Sequence, residues 1–211
     1  MTSRHYIDKV DIMLINYNRM KGDKAMRVID LLEESPVIAA VKDDEGLEAS
    51  FKSECNIIFV LYGTICNIAE IVDKIKDHGK VAVVHADLIS GLNSKEIAAD
   101  FIKNNTRADG VISTKMPVVK RAMALGMIGG HRTFVLDSLA LANTKKQMET
   151  FRPDFLEILP GVMPKILEEI HGCIDVPLIA SGLISDKKDI IAAFSAGADA
   201  ISTTKKDLWF I

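Results

Sequence analysis

Several side chains with chemical potential stand near the ends of short apolar runs: His85 and Asp87, Lys115, Asp137, Glu157, Ser181 with Gly182, and Thr203 with Thr204. Carboxylates grouped with a lysine and a histidine can accept hydrogen bonds from ligand hydroxyls or exchange protons with them. ASGL (Ala180–Leu183) and STTK (Ser202–Lys205) combine hydroxyls with a glycine just before polar-apolar helical stretches. Glycine allows close backbone approach, and the first N–H groups of a helix favour an anion. ASGL alone is equally a plain turn; paired with STTK it points to phosphate. Glu157 raises a sharper question, because it lies inside the apolar run FLEILP, which breaks at Pro160-Gly161. A desolvated lone carboxylate is costly, so a partner or a ligand must meet it. His85 and Asp87 could offer a metal one pair of ligands, fewer than a site needs. No triad, metal cluster or P-loop is visible, so no catalytic residue, metal or cofactor is assigned.

Such residues need elements to hold them. Eight β-branched runs recur along the chain: Pro36–Val41, Asn56–Leu61, Lys80–Leu88, Asp109–Lys115, Arg132–Ser138, Phe155–Pro160, Pro177–Gly182 and Asp199–Lys205. Helical patterns separate them, which predicts a TIM-type (β/α)8 barrel. The runs are almost continuously apolar, as strands buried on both faces are. Pro117 and Pro164 suit first helical turns, Asn93-x-x-Glu96 resembles a capping box, and Gly197 suits a helix C-terminus. Only KDLWFI follows the eighth run, so the eighth helix is truncated. An N-terminal helical extension, 1–35, precedes the barrel, 36–211. Its amphipathic stretch Asp23–Glu34 is expected to fill the gap between strands eight and one, and 1–22 to form another helix or a partner contact.

Alternate side chains of a barrel strand face the lumen. On that rule Val81 and Val83 share a phase with His85 and Asp87, Val111 with Ser113 and Lys115, and Val135 with Asp137. Phe155 shares one with Glu157, Ile179 with Ser181, and Ile201 with Thr203 and Lys205. Each strand turns polar at its C-terminal end, the face where barrel sites lie. Gly161 ends the sixth strand beside that mouth. Substituting Glu157 is therefore expected to abolish ligand sensing and to leave the fold intact.

The 211 residues carry a net charge of −3, with 48% hydrophobic and 26% charged residues. That balance suits one soluble domain and excludes nucleic-acid binding by bulk charge, leaving a local basic patch as the alternative. No apolar run is long enough to span a bilayer. Cys55, Cys66 and Cys173 form no CxxC pair and suit a reducing cytoplasm. Basic groups available for such a patch are Lys120, Arg121, Lys145, Lys146, Lys187 and Lys188, with Arg132, Arg152, Lys165, Lys205 and Lys206 beside them.

Taken together, HADLISGL (His85–Leu92), DGVISTK (Asp109–Lys115), FVLDS (Phe134–Ser138), EILPGVMPKI (Glu157–Ile166), LIASGLI (Leu178–Ile184) and ISTTKKDLW (Ile201–Trp209) resemble the glycerol uptake operon antiterminator family. The resemblance runs in order from about Pro36 to Trp209. It implies a cytoplasmic, barrel-like regulator that senses glycerol 3-phosphate and acts on leader mRNA of glycerol-utilisation genes. Carried over, the phosphate would lie near Ser181, Gly182, Thr203 and Thr204, and the hydroxyls near Lys115, Asp137 and Glu157. The chain departs from the family pattern in having Ser181-Gly182 where two glycines are usual, and in its longer N-terminal segment. Two other classes stay open on the residues alone: an enzyme using Lys115, Asp137 or Glu157 on a small phosphorylated metabolite, and a metabolite-sensing module controlling a protein partner. Homo-oligomerisation is likewise open.

Overall fold

The apolar runs close on themselves. The computed structural model describes residues 28–92 and 95–211. Its strands are β1 (Val37–Val41), β2 (Ile57–Val60), β3 (Val81–His85), β4 (Gly110–Ser113), β5 (Ile128–Phe134), β6 (Phe155–Leu159), β7 (Leu178–Ser181) and β8 (Ala200–Thr203). All pair in parallel in chain order, and β8 returns to β1 to complete a closed barrel. The helices are α1 (28–34), α2 (Asp44–Phe51), α3 (Ile68–Asp77), α4 (Ile97–Asn105), α5 (Met116–Ala124), α6 (Ser138–Thr150), α7 (Pro164–His171) and α8 (Lys187–Ser195). Pro117 and Pro164 lie in first helical turns, and Gly197 follows α8 with φ +89°. Asn93 lies outside the described residues, and Glu96 makes no side-chain cap at α4.

The fifth strand begins four residues before its predicted start. Gly129 and Gly130 interrupt the β-branched pattern there because neighbours occupy the space of their side chains. A Cβ on Gly130 would meet the Phe155 ring at 2.1 Å, and one on Gly129 would meet Met123 Cγ at 2.4 Å. Phe155 thus fills the barrel axis while its neighbour on β5 gives way.

Two apolar layers surround the sheet. Ile58, Val84, Val111, Ile158 and Ile201 pack outward against the helices. Ile38, Ile57, Phe59, Val83, Ile112, Phe155, Ile179 and Ala200 fill the lumen. At the N-terminal end, three aspartates repeat one device. Asp109, Asp154 and Asp199 are equally spaced in sequence, each one residue before an even-numbered strand. Each carboxylate accepts from a backbone N–H at the start of the preceding strand: Ala82, Gly129 and Leu178, at 2.8, 2.7 and 2.7 Å. Each aspartate's own N–H donates back to the carbonyl of that same residue.

The seam between β8 and β1 is filled differently from expectation. α1 does not occupy it. Val28 and Leu32 are buried in the luminal cluster with Ile38, Ile57 and Phe155, so α1 stoppers the N-terminal end of the barrel. Residues 1–27 of the extension lie outside the described residues. The segment after β8 supplies the seam instead. Lys206–Phe210 form a 3-10 turn that buries Trp209 to 2% exposure. Trp209 Nε1 donates to the Thr203 carbonyl at 2.9 Å, and its ring reaches the N-terminal turn of α2 at Gly46.

Candidate functional site

Strand register fixes which side chains share the lumen. Stepping around the barrel with the strand tilt gives layers drawn from alternate strands. One layer holds Phe59, Ile112, Glu157 and Ser202; the next, toward the C-terminal mouth, holds Ala40, His85, Arg132 and Ser181. All eight are buried. Below them the lumen is apolar, so polarity begins abruptly at Glu157 and Ser202.

Glu157 is fully buried and is met by Arg132 from the adjacent strand. The guanidinium donates to both carboxylate oxygens: Nε to Oε2, and Nη2 to Oε1 at 3.1 Å. This bidentate pair answers the cost of a carboxylate in a core strand. His85 lies in the same layer as Arg132. Burial first, and the Arg132 charge second, push its pKa down to about 4, so the ring is neutral near pH 7. Its approach to Asp87, 4.0 Å from Nδ1 to Oδ2, is therefore not a charged pair at that pH. Asp87 is instead tied to the end of β4, accepting from Ser113 Oγ (2.7 Å), Thr114 N (2.7 Å) and Thr114 Oγ1 (2.9 Å). Burial opposes its ionisation, but these donors outweigh burial and hold the carboxyl below the usual range.

Three phase expectations are corrected. In β4 and β8 and just past the end of β5 the large residues Val111, Ile201 and Val135 face the helices, and the luminal positions of these strands belong to Ile112, Ser202 and Arg132. Asp137 caps α6 from an exposed position, accepting from Ala140 N at 2.8 Å. Lys115 is exposed at the start of α5. Thr203 faces outward: its hydroxyl donates to the Ile184 carbonyl (3.2 Å) and accepts from Lys205 N (3.1 Å). Thr204 is exposed on the rim.

The loops after β6 and β7 are interlocked. Gly161 N donates to the carbonyls of Ser181 (2.5 Å) and Gly182 (3.1 Å). A Cβ on Gly161 would lie 2.6 Å from Ser181 N, so only glycine fits this crossing. Gly182 (φ +74°) and Leu183 (φ +62°) follow in left-handed conformation, and Leu183 is 74% exposed. A left-handed leucine is strained, a state met most often at functional loops. Lys42, Lys115, Lys165 and Lys205 surround the mouth, exposed and outside ion-pair distance of any carboxylate among the described residues.

The other basic groups are mostly engaged. Arg121 forms a fork to Asp100 with contacts of 2.5–3.1 Å, and Lys145 pairs with Glu169 at 2.5 Å. Lys120 lies 5.1 Å over the Phe151 ring. Lys146, Lys187 and Lys188 are exposed. Among the described residues no group of three His, Cys, Asp or Glu could hold a metal, and no helix is long and apolar enough to cross a membrane. A cavity of about 580 Å3 opens at the opposite end of the barrel beside α1, lined by Leu31, Val81, Asp109, Met127 and Ile128. None of the sequence-derived candidates lines it.

Sequence reasoning missed Arg132 as a luminal group, reading it as a surface base, and took Ser202 only as part of the STTK loop and not as a luminal side chain. The signal was present in the small residues Gly130 and Ala200, two positions earlier on the same strands, which mark the luminal phase where Phe155 needs room.

Residues 37–209 match the model of a family described as glycerol-3-phosphate responsive antiterminators. The chain is 47% identical over 184 residues to YgcP of Escherichia coli (strain K12), covering 87% of this chain and 96% of that one. A glycerol uptake operon antiterminator regulatory protein from Listeria monocytogenes superposes with a TM-score of 0.79 at 28% identity, covering 82% of this chain and 94% of its own. An antiterminator-related protein from Thermotoga maritima gives 0.72 at 30%, covering 83% and 98%. The deoxyribose phosphate aldolase of Aeropyrum pernix, at 14% identity and a TM-score of 0.63, covering 89% of this chain and 95% of its own, shares the barrel fold.

Proposed function

The chain belongs to the glycerol-3-phosphate responsive antiterminator family, and we propose that it senses glycerol 3-phosphate at the barrel mouth and acts on leader mRNA of glycerol-utilisation genes. The family is one of regulators, not enzymes, although the barrel is shared with enzymes. The observation that carries the ligand assignment is the abrupt change of polarity in the lumen. Apolar layers give way to Glu157, Arg132, His85 and Ser202, under a rim of four lysines that lie outside ion-pair distance of any carboxylate among the described residues. An anion entering there meets unpaired positive charge, then polar groups able to accept or donate to hydroxyls.

In this reading the phosphate sits beside Ser181, Gly182 and the loop from Thr203 to Lys205. The strained Gly182-Leu183 turn supports that choice, since its backbone can close upon an anion. Ligand binding orders the mouth loops and shifts the chain toward an RNA-competent state, by the difference in ligand affinity between the two states. Lys146, Lys187 and Lys188 supply exposed charge for RNA phosphates; Lys120, Arg121 and Lys145 contribute less, being held by Phe151, Asp100 and Glu169. The site of action is the cytoplasm.

The test is binding of labelled leader RNA with and without glycerol 3-phosphate across a salt series. Affinity should rise with the ligand and fall log-linearly with salt. RNA affinity that is sequence-indifferent and unchanged by the ligand would reject the reading.

A further inference from the structure

Among the described residues, two buried polar atoms of the lumen have no hydrogen-bond partner: His85 Nδ1 and Ser202 Oγ. Ser202 is fully buried and His85 is 2% exposed. A third such atom, His131 Nδ1, is on the outer face of β5, where the ring's Nε2 meets Gln147 of α6. The two luminal atoms come from strands β3 and β8 and sit in adjacent layers. Their surroundings are built to stay in place. Arg132 and Glu157 satisfy each other and so fix the polar floor, and Ala40 is the smallest side chain in the layer of His85, Arg132 and Ser181. Buried polar atoms are ordinarily paired, and an unpaired one is costly. A protein that keeps two of them in adjacent luminal layers, at the point where the lumen turns polar, has donors and acceptors set for something that enters.

We propose that His85 and Ser202 form a buried subsite for the hydroxyl-bearing end of the ligand, separate from the rim that takes its anionic end. This rests on the reading that the mouth takes a phosphorylated polyol. The chemistry of the two atoms defines what fits. A serine hydroxyl both donates and accepts, and a neutral imidazole nitrogen does one or the other according to its tautomer. Hydroxyl groups of a ligand can satisfy either atom. A carboxylate or second phosphate there would lack a free cation, because two of the donor nitrogens of Arg132 are already committed to Glu157. The subsite therefore selects hydroxyls over charge, and it discriminates between phosphate esters by the hydroxyls they carry. A site built to pair a hydroxyl rejects the analogue that lacks it, because its own polar groups are then left unpaired.

The experiment is calorimetric titration of the full-length protein, wild type, Ser202→Ala and His85→Gln, with glycerol 3-phosphate, n-propyl phosphate, inorganic phosphate and glycerol. Wild type should prefer glycerol 3-phosphate to n-propyl phosphate by roughly tenfold or more. Each substitution should erase most of that preference and leave affinity for n-propyl and inorganic phosphate unchanged. Ser202→Ala should melt no lower than wild type, since the hydroxyl it removes has no partner among the described residues; it therefore remains informative if His85→Gln folds poorly. A preference that survives both substitutions, or a parallel loss of all phosphate ligands, overturns the subsite while leaving glycerol 3-phosphate sensing intact. Wild-type binding of glycerol but of no phosphate, lost in Ser202→Ala, supports the subsite and rejects the phosphate reading. Failure of wild type to bind any of the four overturns both.

Discussion

At the scale of single residues, the pairing of Arg132 with Glu157 changes what a substitution at Glu157 should do. The sequence alone led to an intact fold with lost sensing. With the guanidinium buried against it, Glu157→Ala leaves an uncompensated charge in the lumen. Breaking a buried pair from one side costs about 3–5 kcal/mol, so Glu157→Ala should shift the urea midpoint strongly, and the double change Glu157→Leu with Arg132→Met should recover much of the loss. Equal destabilisation by the single and double variants would contradict this. His85 makes a pH prediction. Its folded pKa is depressed to about 4 by burial, so the unfolded chain binds its proton first as pH falls. Stability is then fully present above about pH 6.5 and falls between there and about 4, by roughly 3 kcal/mol. Urea unfolding at pH 7 and pH 5 should differ more for wild type than for His85→Gln; an identical difference would remove His85 as a cause. His131, lowered in the same direction by its own burial, retains part of the slope in that variant.

At the scale of elements, the sequence made the strands legible but not always their faces. Seven of the eight strands lie within the predicted runs because their apolar character is continuous. That same continuity hides the phase: both faces of a barrel strand are apolar, so Val111, Val135 and Ile201 looked as luminal as Val83 or Phe155. Where a polar residue interrupted the run early, as Glu157 and His85 do, the phase was readable. Where the luminal residue was small, as Gly130 and Ala200 are, the phase was marked only by the missing bulk. The loop after β7 was legible as special from ASGL, but the left-handed Leu183 was not, since nothing in the residue type announces it. The aspartate staples give a test at this scale. Asp199 holds the N–H of Leu178 at 2.7 Å across the start of β7 and β8. Asp199→Ala should cost about 1–3 kcal/mol by leaving that donor without its carboxylate, and should raise hydrogen exchange at Leu178 more than at Leu156. Uniform exchange changes would deny the staple its local role.

At the scale of the whole molecule, the barrel is closed by pieces of unequal kind. α1 stoppers the N-terminal end, and the C-terminal turn carrying Trp209 seals the seam between β8 and β1. Trp209→Ala removes a fully packed indole and one hydrogen bond, and should cost about 3–5 kcal/mol in unfolding free energy; a loss under about 1 kcal/mol would mean that the seam closes without it. Among the described residues neither closure covers the C-terminal mouth, with its lysine rim above a polar floor. The central claim is that the metabolite enters at this mouth and not at the cavity beside α1. Amide chemical-shift mapping on addition of glycerol 3-phosphate tests it most directly. Shifts concentrated on Gly161, Ser181–Ile184 and Ser202–Lys205, with His85 and Arg132, are the predicted result. Shifts centred on Leu31, Val81, Met127 and Ile128 at the opposite end would contradict it.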